Sequence, residues 1–195
     1  MKSGRARPSG KQKTSLLKSL AAPAVDTVLS QYTTNKVLLI HPSSRYGKLL
    51  IAALIDASPC ELFCYGMGVE DVSLDQFLIG ISNSLAVQSS NCRCEIIGAL
   101  NQKVTDPGAL AEVLARDLAR LSSDHYLLVL DEYDRADTVV DIQTFMEALL
   151  DLLPAQCHLV IGSRTLPRLP WVGLVARRQA VVLRDAAVMP IGFYS

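Results

Sequence analysis

Two adjacent carboxylates close an apolar run in His125-Tyr126-Leu127-Leu128-Val129-Leu130-Asp131-Glu132-Tyr133-Asp134. The apolar and aromatic residues before Asp131 read as a strand buried on both faces, the parallel-sheet type. Acids at the carboxyl end of such a strand lie where open α/β sheets bind ligands. In phosphate chemistry an acid so placed holds Mg²⁺, directly or through water, and a following carboxylate orients an attacking water. Asp131 is therefore the candidate metal-side residue and Glu132 the candidate catalytic one. Taken alone, the pair also suits the first residues of a solvated loop.

The second element of that chemistry is a loop that surrounds phosphates with backbone N–H groups, written G-x-x-x-x-G-K-[ST]. Its glycines let the backbone curl, its lysine neutralises phosphate oxygens, and its hydroxyl ligates Mg²⁺. The corresponding run here is Pro42-Ser43-Ser44-Arg45-Tyr46-Gly47-Lys48-Leu49, between the apolar run Val37-Leu38-Leu39-Ile40 and a helical pattern. Gly47 and Lys48 are in place, and the backbone donors of Ser44, Arg45, Tyr46, Gly47 and Lys48 survive. Pro42 replaces the first glycine, fixing φ and removing an N–H. Leu49 replaces the hydroxyl and cannot coordinate a metal. A strand-to-helix turn with a chance Gly-Lys is the competing reading of this loop.

A third charge, Arg164, follows the run Cys157 to Ile161. If that strand lies between the loop strand and the acidic strand, Arg164 can face a terminal phosphate and report its presence; otherwise it is a surface arginine, pairing with Glu132. Asp134 and Arg135 read as solvated loop charges. His41, His125 and His158 lie beside or within strands and make no triad with an activated Ser or Cys. Cys60, Cys64, Cys92, Cys94 and Cys157 are odd in number. None of their spacings matches the usual zinc pattern, so reduced thiols in a cytoplasmic protein are expected.

Alternating strands and helices must position these groups. Ser15 to Tyr32 is helix-like around Pro23, and Lys48 to Ala57 is a helix stopped by Ser58-Pro59. Glu61 to Tyr65 is a short strand. Ser73-x-x-Gln76 opens a helix whose Phe77, Leu78, Ile81 and Leu85 share a face, and Asp106-Pro107 opens another with Leu110, Val113, Leu114, Leu118 and Leu121. Gln88 to Val104 is polar and irregular. Ile142, Phe145, Met146, Leu149, Leu150 and Leu153 mark a further helix ended by Pro154. Trp171 to Ala176 is a short helix and Ala180 to Leu183 a fifth strand. Strands separated by helices specify parallel βαβ units and a three-layer α/β sandwich.

Composition agrees with one ordinary domain: 195 residues, half of them apolar and 19% charged. The formal net charge is zero but unevenly spread. Lys2, Arg5, Arg7, Lys11, Lys13 and Lys18 precede the first acid, Asp26, leaving 13 basic against 19 acidic residues in the remainder. That body is unsuited to nucleic acid, and only the basic tail offers it weak contact. No apolar run approaches the ~18 residues of a membrane span. The expected organisation is a disordered tail over 1–14, a flanking helical segment over 15–36, the α/β domain over 37–185 and a short tail over 186–195.

Tyr46-Gly47-Lys48, the run from Leu127 through Asp131-Glu132-Tyr133, and Leu153-Pro154 through Ser163-Arg164 to Pro167 and Leu169-Pro170 carry a resemblance. The chain from Val37 to about Leu183 resembles the nucleotide-binding domain of MalT-type and LuxR-type large transcription regulators, in the STAND class of P-loop NTPases. Some relatives join this module to a bacterial transcriptional activator domain. The resemblance implies a P-loop NTPase three-layer αβα sandwich with a five-stranded, mainly parallel sheet. It implies ATP or ADP as ligand with Mg²⁺, and a switch that works through protein partners or self-association. DNA would be bound by a separate domain. Lys48 would be the phosphate lysine, Asp131 the metal-side acid, Glu132 the catalytic carboxylate and Arg164 the sensor. The usual family loop reads close to A-P-A-G-Y-G-K-T; Arg45 stands for its glycine and Leu49 for its threonine. The expectation is a nucleotide-binding regulatory module with weak or no hydrolysis, the alternatives being a pseudo-NTPase interaction domain and a slow ATPase.

Overall fold

Three apolar runs with no alternation form the centre of the sheet, because helices cover both of their faces. They are β1 (Val37–Ile40), β3 (Tyr126–Asp131) and β4 (Cys157–Gly162), buried throughout except at Asp131. The edge strands β2 (Glu61–Gly66) and β5 (Ala180–Leu183) are only partly buried. The order is β2-β3-β4-β1-β5, and every pairing is parallel. This is the α/β sandwich expected from the alternation of strands and helices, with β4 between β1 and β3. The computed structural model describes residues 25–26, 28–30, 34–41 and 45–183, excepting the side chains of 45–49 and 57.

Successive strand residues point to opposite faces, so the core divides in two. On one face Leu39, Phe63, Leu128, Leu130, Leu159 and Ile161 meet α2 (Leu74–Gln88), α3 (Glu95–Asn101), α4 (Pro107–Ala119), α5 (Val140–Leu152) and α6 (Trp171–Ala176). On the other, Leu38, Ile40, Leu127, Val129 and Val160 meet Leu50, Ile51 and Leu54 of α1 (Arg45–Ala57), together with Val25 and Val28. Those two valines belong to the expected flanking helix, of which residues 25–26 and 28–30 are helical. The expected tails at 1–14 and 186–195 lie outside the described residues.

Helix starts follow local chemistry where the cap is local. The Ser73 hydroxyl accepts from the Gln76 N–H, and the Asp106 carboxylate accepts from the Ala109 N–H at 2.7 Å, with Pro107 following. Two boundaries differ from the sequence reading. α1 begins at Arg45 rather than Lys48, so Gly47 lies within the first helical turn. The stretch read as irregular contains α3. That helix opens at Cys94 with no side-chain cap of its own; its Ile96 N–H is received by the buried Asp117 of α4 at 3.1 Å. A cap supplied from another helix leaves no mark in the local sequence.

Candidate functional site

Parallel pairing brings the carboxyl ends of β1, β3 and β4 to one edge of the sheet. Ile40 pairs with Gly162 and Leu130 with Ile161, so Asp131 stands beside Gly162. A Cβ on Gly162 would lie 2.8 Å from Asp131 Oδ1 and 3.3 Å from Ile51 of α1. Only hydrogen fits there, and the acid sits against β4 as a result. The half-buried Asp131 accepts through Oδ1 from the Glu132 N–H at 2.8 Å.

Glu132 takes the left-handed conformation at φ 57° and ψ 35°, which costs a non-glycine residue about 1–2 kcal/mol. Strain of that kind concentrates at functional turns. Its carboxylate pairs with Arg135 at 2.8 Å, so Arg135 is an ion-pair partner rather than the solvated charge read from the sequence.

Asp134 is also not solvated. Its side chain is 8% exposed, and it accepts from the Arg164 backbone N–H at 3.0 Å, from Nε at 2.9 Å and from Nη2 at 2.6 Å. Arg164 therefore faces Asp134, not the Glu132 that the sequence offered as partner. Three residues on, the Asp137 carboxylate accepts from the Arg168 N–H at 2.8 Å. Two aspartates after β3 thus pin the loop after β4 at two points. Burial pushes Asp134 up, but hydrogen bonds from Arg164 outweigh it and hold the carboxyl below its ordinary range. At Asp137 burial wins, and the group is raised despite the Arg168 N–H.

A depressed carboxyl stabilises the fold above its unfolded value, and the contribution is lost as pH falls through the folded value. Asp134→Asn should therefore lower stability at neutral pH, with the deficit vanishing on acidification below the carboxylate range. Denaturant unfolding of both proteins across that range checks the sign. A deficit that grows toward acid would exclude the Asp134–Arg164 pair as its cause.

The phosphate-loop candidates are placed only in part. Ser44 lies outside the described residues, as does Pro42. Arg45, Tyr46, Gly47, Lys48 and Leu49 form the start of α1, and their side chains lie outside the described residues too. The beginning of a 13-residue helix carries N–H groups without intrahelical partners, aimed toward the edge that holds Asp131. His41, just past β1, has its Nδ1 3.4 Å from the Ser163 carbonyl. His158 contacts His125 at 2.8 Å and the Asn35 carbonyl at 3.1 Å, at the opposite edge of the sheet. A cavity of about 650 Å³ also lies at that far edge, lined by Cys60, Glu61, Asn91, Asp124 and His125 among others. It is remote from the carboxyl ends, where sheets of this kind bind ligands. No cluster of metal-binding side chains occurs among the described residues, the cysteines included.

The donor set at the edge fits a divalent cation of one kind. Mg²⁺ commonly takes one or two protein carboxylates and completes its shell with phosphate oxygens and water. Asp131 offers one carboxylate and Leu49 no ligand atom, so a Mg²⁺ held here would complete its shell with water and the oxygens of a bound ligand rather than in a protein cage.

Solved structures provide the comparison. A chain in a structure of Drosophila ORC bound to AT-rich DNA and Cdc6 matches 94% of this chain with TM-score 0.56 and 14% identity. A chain of Drosophila ORC bound to DNA matches 92% with TM-score 0.54 and 12% identity, over 97% of its own length. A third, from Drosophila ORC bound to GC-rich DNA and Cdc6, matches 97% with TM-score 0.51 and 11% identity, over 66% of its length. The likeness is one of fold. It agrees with the five-stranded parallel α/β sandwich described above. This chain spans 60% of the first of these chains. No protein-family model matches the sequence, and no curated protein matches it.

Sequence reasoning singled out Asp131, Glu132 and Arg164, took Asp134 for a solvated charge, and gave Asp137 and Gly162 no role. The glycine had a signal, since it ends an apolar run at the strand tip. The aspartates had none, because their partners lie about thirty residues away across the sheet.

Proposed function

We propose that this chain is a nucleotide-binding regulatory module of the STAND type, taking ATP or ADP with Mg²⁺ and hydrolysing it weakly or not at all. The observation that carries the reading is the shared edge: the start of α1 with Lys48, the acid Asp131 and the loop bearing Arg164 all follow carboxyl ends of adjacent strands. In this reading the α1 N–H groups and Lys48 hold phosphate, Asp131 supports Mg²⁺, and Glu132 orients water once freed from Arg135. Bound Mg²⁺ would neutralise charge on the phosphates. Leu49 withholds the hydroxyl that would fix the cation, which is why turnover is slow. Output comes through protein partners or self-association, as nucleotide must bind two conformations unequally to shift a population. DNA enters through a separate domain or the basic tail. Among the described residues no helix is long and apolar enough to cross a membrane.

Calorimetric titration with ATP and ADP, with and without Mg²⁺, tests the reading. Lys48→Ala should weaken binding at least tenfold, about 1.4 kcal/mol. Leu49→Thr should strengthen the Mg²⁺ dependence and raise hydrolysis. Flat titrations at millimolar nucleotide would replace this reading with the pseudo-NTPase interaction domain.

A further inference from the structure

Away from the sheet edge, the turn between α2 and α3 brings two sulfur atoms together. Cys92 Sγ and Cys94 Sγ lie 2.7 Å apart across a single intervening residue, Arg93. A disulfide needs about 2.0 Å, so a movement of roughly 0.7 Å completes the bond. Cys94 holds the left-handed conformation, φ 48° and ψ 44°, which side chains other than glycine, asparagine and aspartate seldom adopt.

The turn is built rather than loose. The Ser89 N–H donates to Leu85 O at 2.8 Å, the Ile97 N–H to Cys94 O at 3.1 Å, and the Asn91 side chain to Leu121 O at 3.3 Å. Both thiols are half-buried, open enough for a small reagent and enclosed enough to stay aligned. The Cys94 thiol reaches the Ser82 carbonyl at 3.5 Å. The other cysteines are arranged differently: Cys60 contacts the Ser58 hydroxyl at 3.2 Å, and Cys157 is fully buried in β4.

We propose that Cys92 and Cys94 are a redox modification site, forming a reversible intrachain disulfide by exchange with a low-molecular-weight disulfide such as oxidised glutathione. Burial first, and then the hydrogen bond with Cys92, push the Cys94 thiol up. The Cys94 thiol is also engaged with the Ser82 carbonyl, so Cys92 attacks first. Its thiolate bonds to one sulfur of the small disulfide, breaking that S–S bond and expelling one thiolate. Cys94 then releases its proton to solvent and attacks Cys92 Sγ in the mixed disulfide, expelling the second thiol. Two protein thiols are oxidised and one small disulfide is reduced to two thiols, so electrons balance. A ring closed over one residue is strained, and strained disulfides are the readily reduced ones. The free-thiol form already holds the α2–α3 turn by its hydrogen bonds, and oxidation adds a covalent link across it.

The test is to expose the full chain to oxidised glutathione, block remaining thiols with N-ethylmaleimide under denaturing conditions, and weigh the intact protein. The untreated chain takes five adducts, one per cysteine. Treatment should leave three, with the mass lower by two hydrogens and no glutathione attached, and dithiothreitol should restore five. Cys92→Ser and Cys94→Ser should each abolish the two-hydrogen loss, the remaining thiol carrying either N-ethylmaleimide or a glutathione mixed disulfide. A Cys60→Ser/Cys64→Ser double variant should retain it. Five adducts after treatment, glutathione adducts without ring closure in the parent chain, or a loss that persists in Cys92→Ser would each overturn the assignment.

Discussion

Replacing Phe145 by alanine is expected to remove about 3–5 kcal/mol of stability, the range for deleting a buried aromatic. Phe145 is fully buried on the α5 face toward the sheet, with its ring 6.0 Å from Phe77 of α2 in an edge-to-face arrangement. Phe77 in turn lies 6.1 Å from Tyr65 of β2. The ring therefore joins α5 to α2 and α2 to the edge strand, and its removal leaves a cavity that three elements must collapse to fill. Native stabilities are about 5–15 kcal/mol, so the loss is a large share of the total. For a chain of this length the melting temperature should fall by roughly 6–20 °C. Phe145→Leu should recover more than half of that. A fall of a degree or two for Phe145→Ala would show that the interface repacks freely.

The second large effect concerns Gly162. Its added methyl would meet Asp131 Oδ1 at 2.8 Å, nearer than van der Waals contact allows. The strand backbone is held on both sides by β1 and β3, so the short Asp131 side chain is what gives way. Overpacking of this kind costs about 1–3 kcal/mol. On the proposed nucleotide reading, Gly162→Ala should also weaken nucleotide binding in Mg²⁺ by roughly tenfold, about 1.4 kcal/mol, and leave binding without Mg²⁺ nearly unchanged. Calorimetry in the presence and absence of Mg²⁺, alongside denaturant unfolding, separates the two consequences. Equal weakening in both conditions would place the Asp131 carboxylate outside the metal's reach.

What the sequence disclosed depends on how far apart the interacting residues are. Burial on two faces writes itself into a strand as an unbroken apolar run, and β1, β3 and β4 are legible for that reason. Caps made within one turn, at Ser73 and Asp106, are legible too. α3 is not, because its first N–H groups depend on Asp117 of another helix. The same divide runs through the candidate site. The position of Asp131 at a strand tip follows from the run before it. The grip of Asp134 on Arg164 does not, since only the sheet order makes those loops neighbours. The left-handed Glu132 is equally invisible, as nothing in its side chain asks for that backbone.

The strand order has a kinetic side. β1 precedes the segment proposed to hold phosphate, yet neither of its partners is close in the chain: Val37 pairs with Leu159 and with Ala180. β2 and β3, by contrast, follow one another in sequence and pair together. Long-range pairings close slowly, because a large loop must be ordered before any ladder bond rewards it. As the chain emerges during synthesis, β1 waits without a ladder until almost the whole domain has been made. The edge proposed for nucleotide is thus among the last parts to be assembled, and on that proposal only a chain whose β1 has paired could bind there.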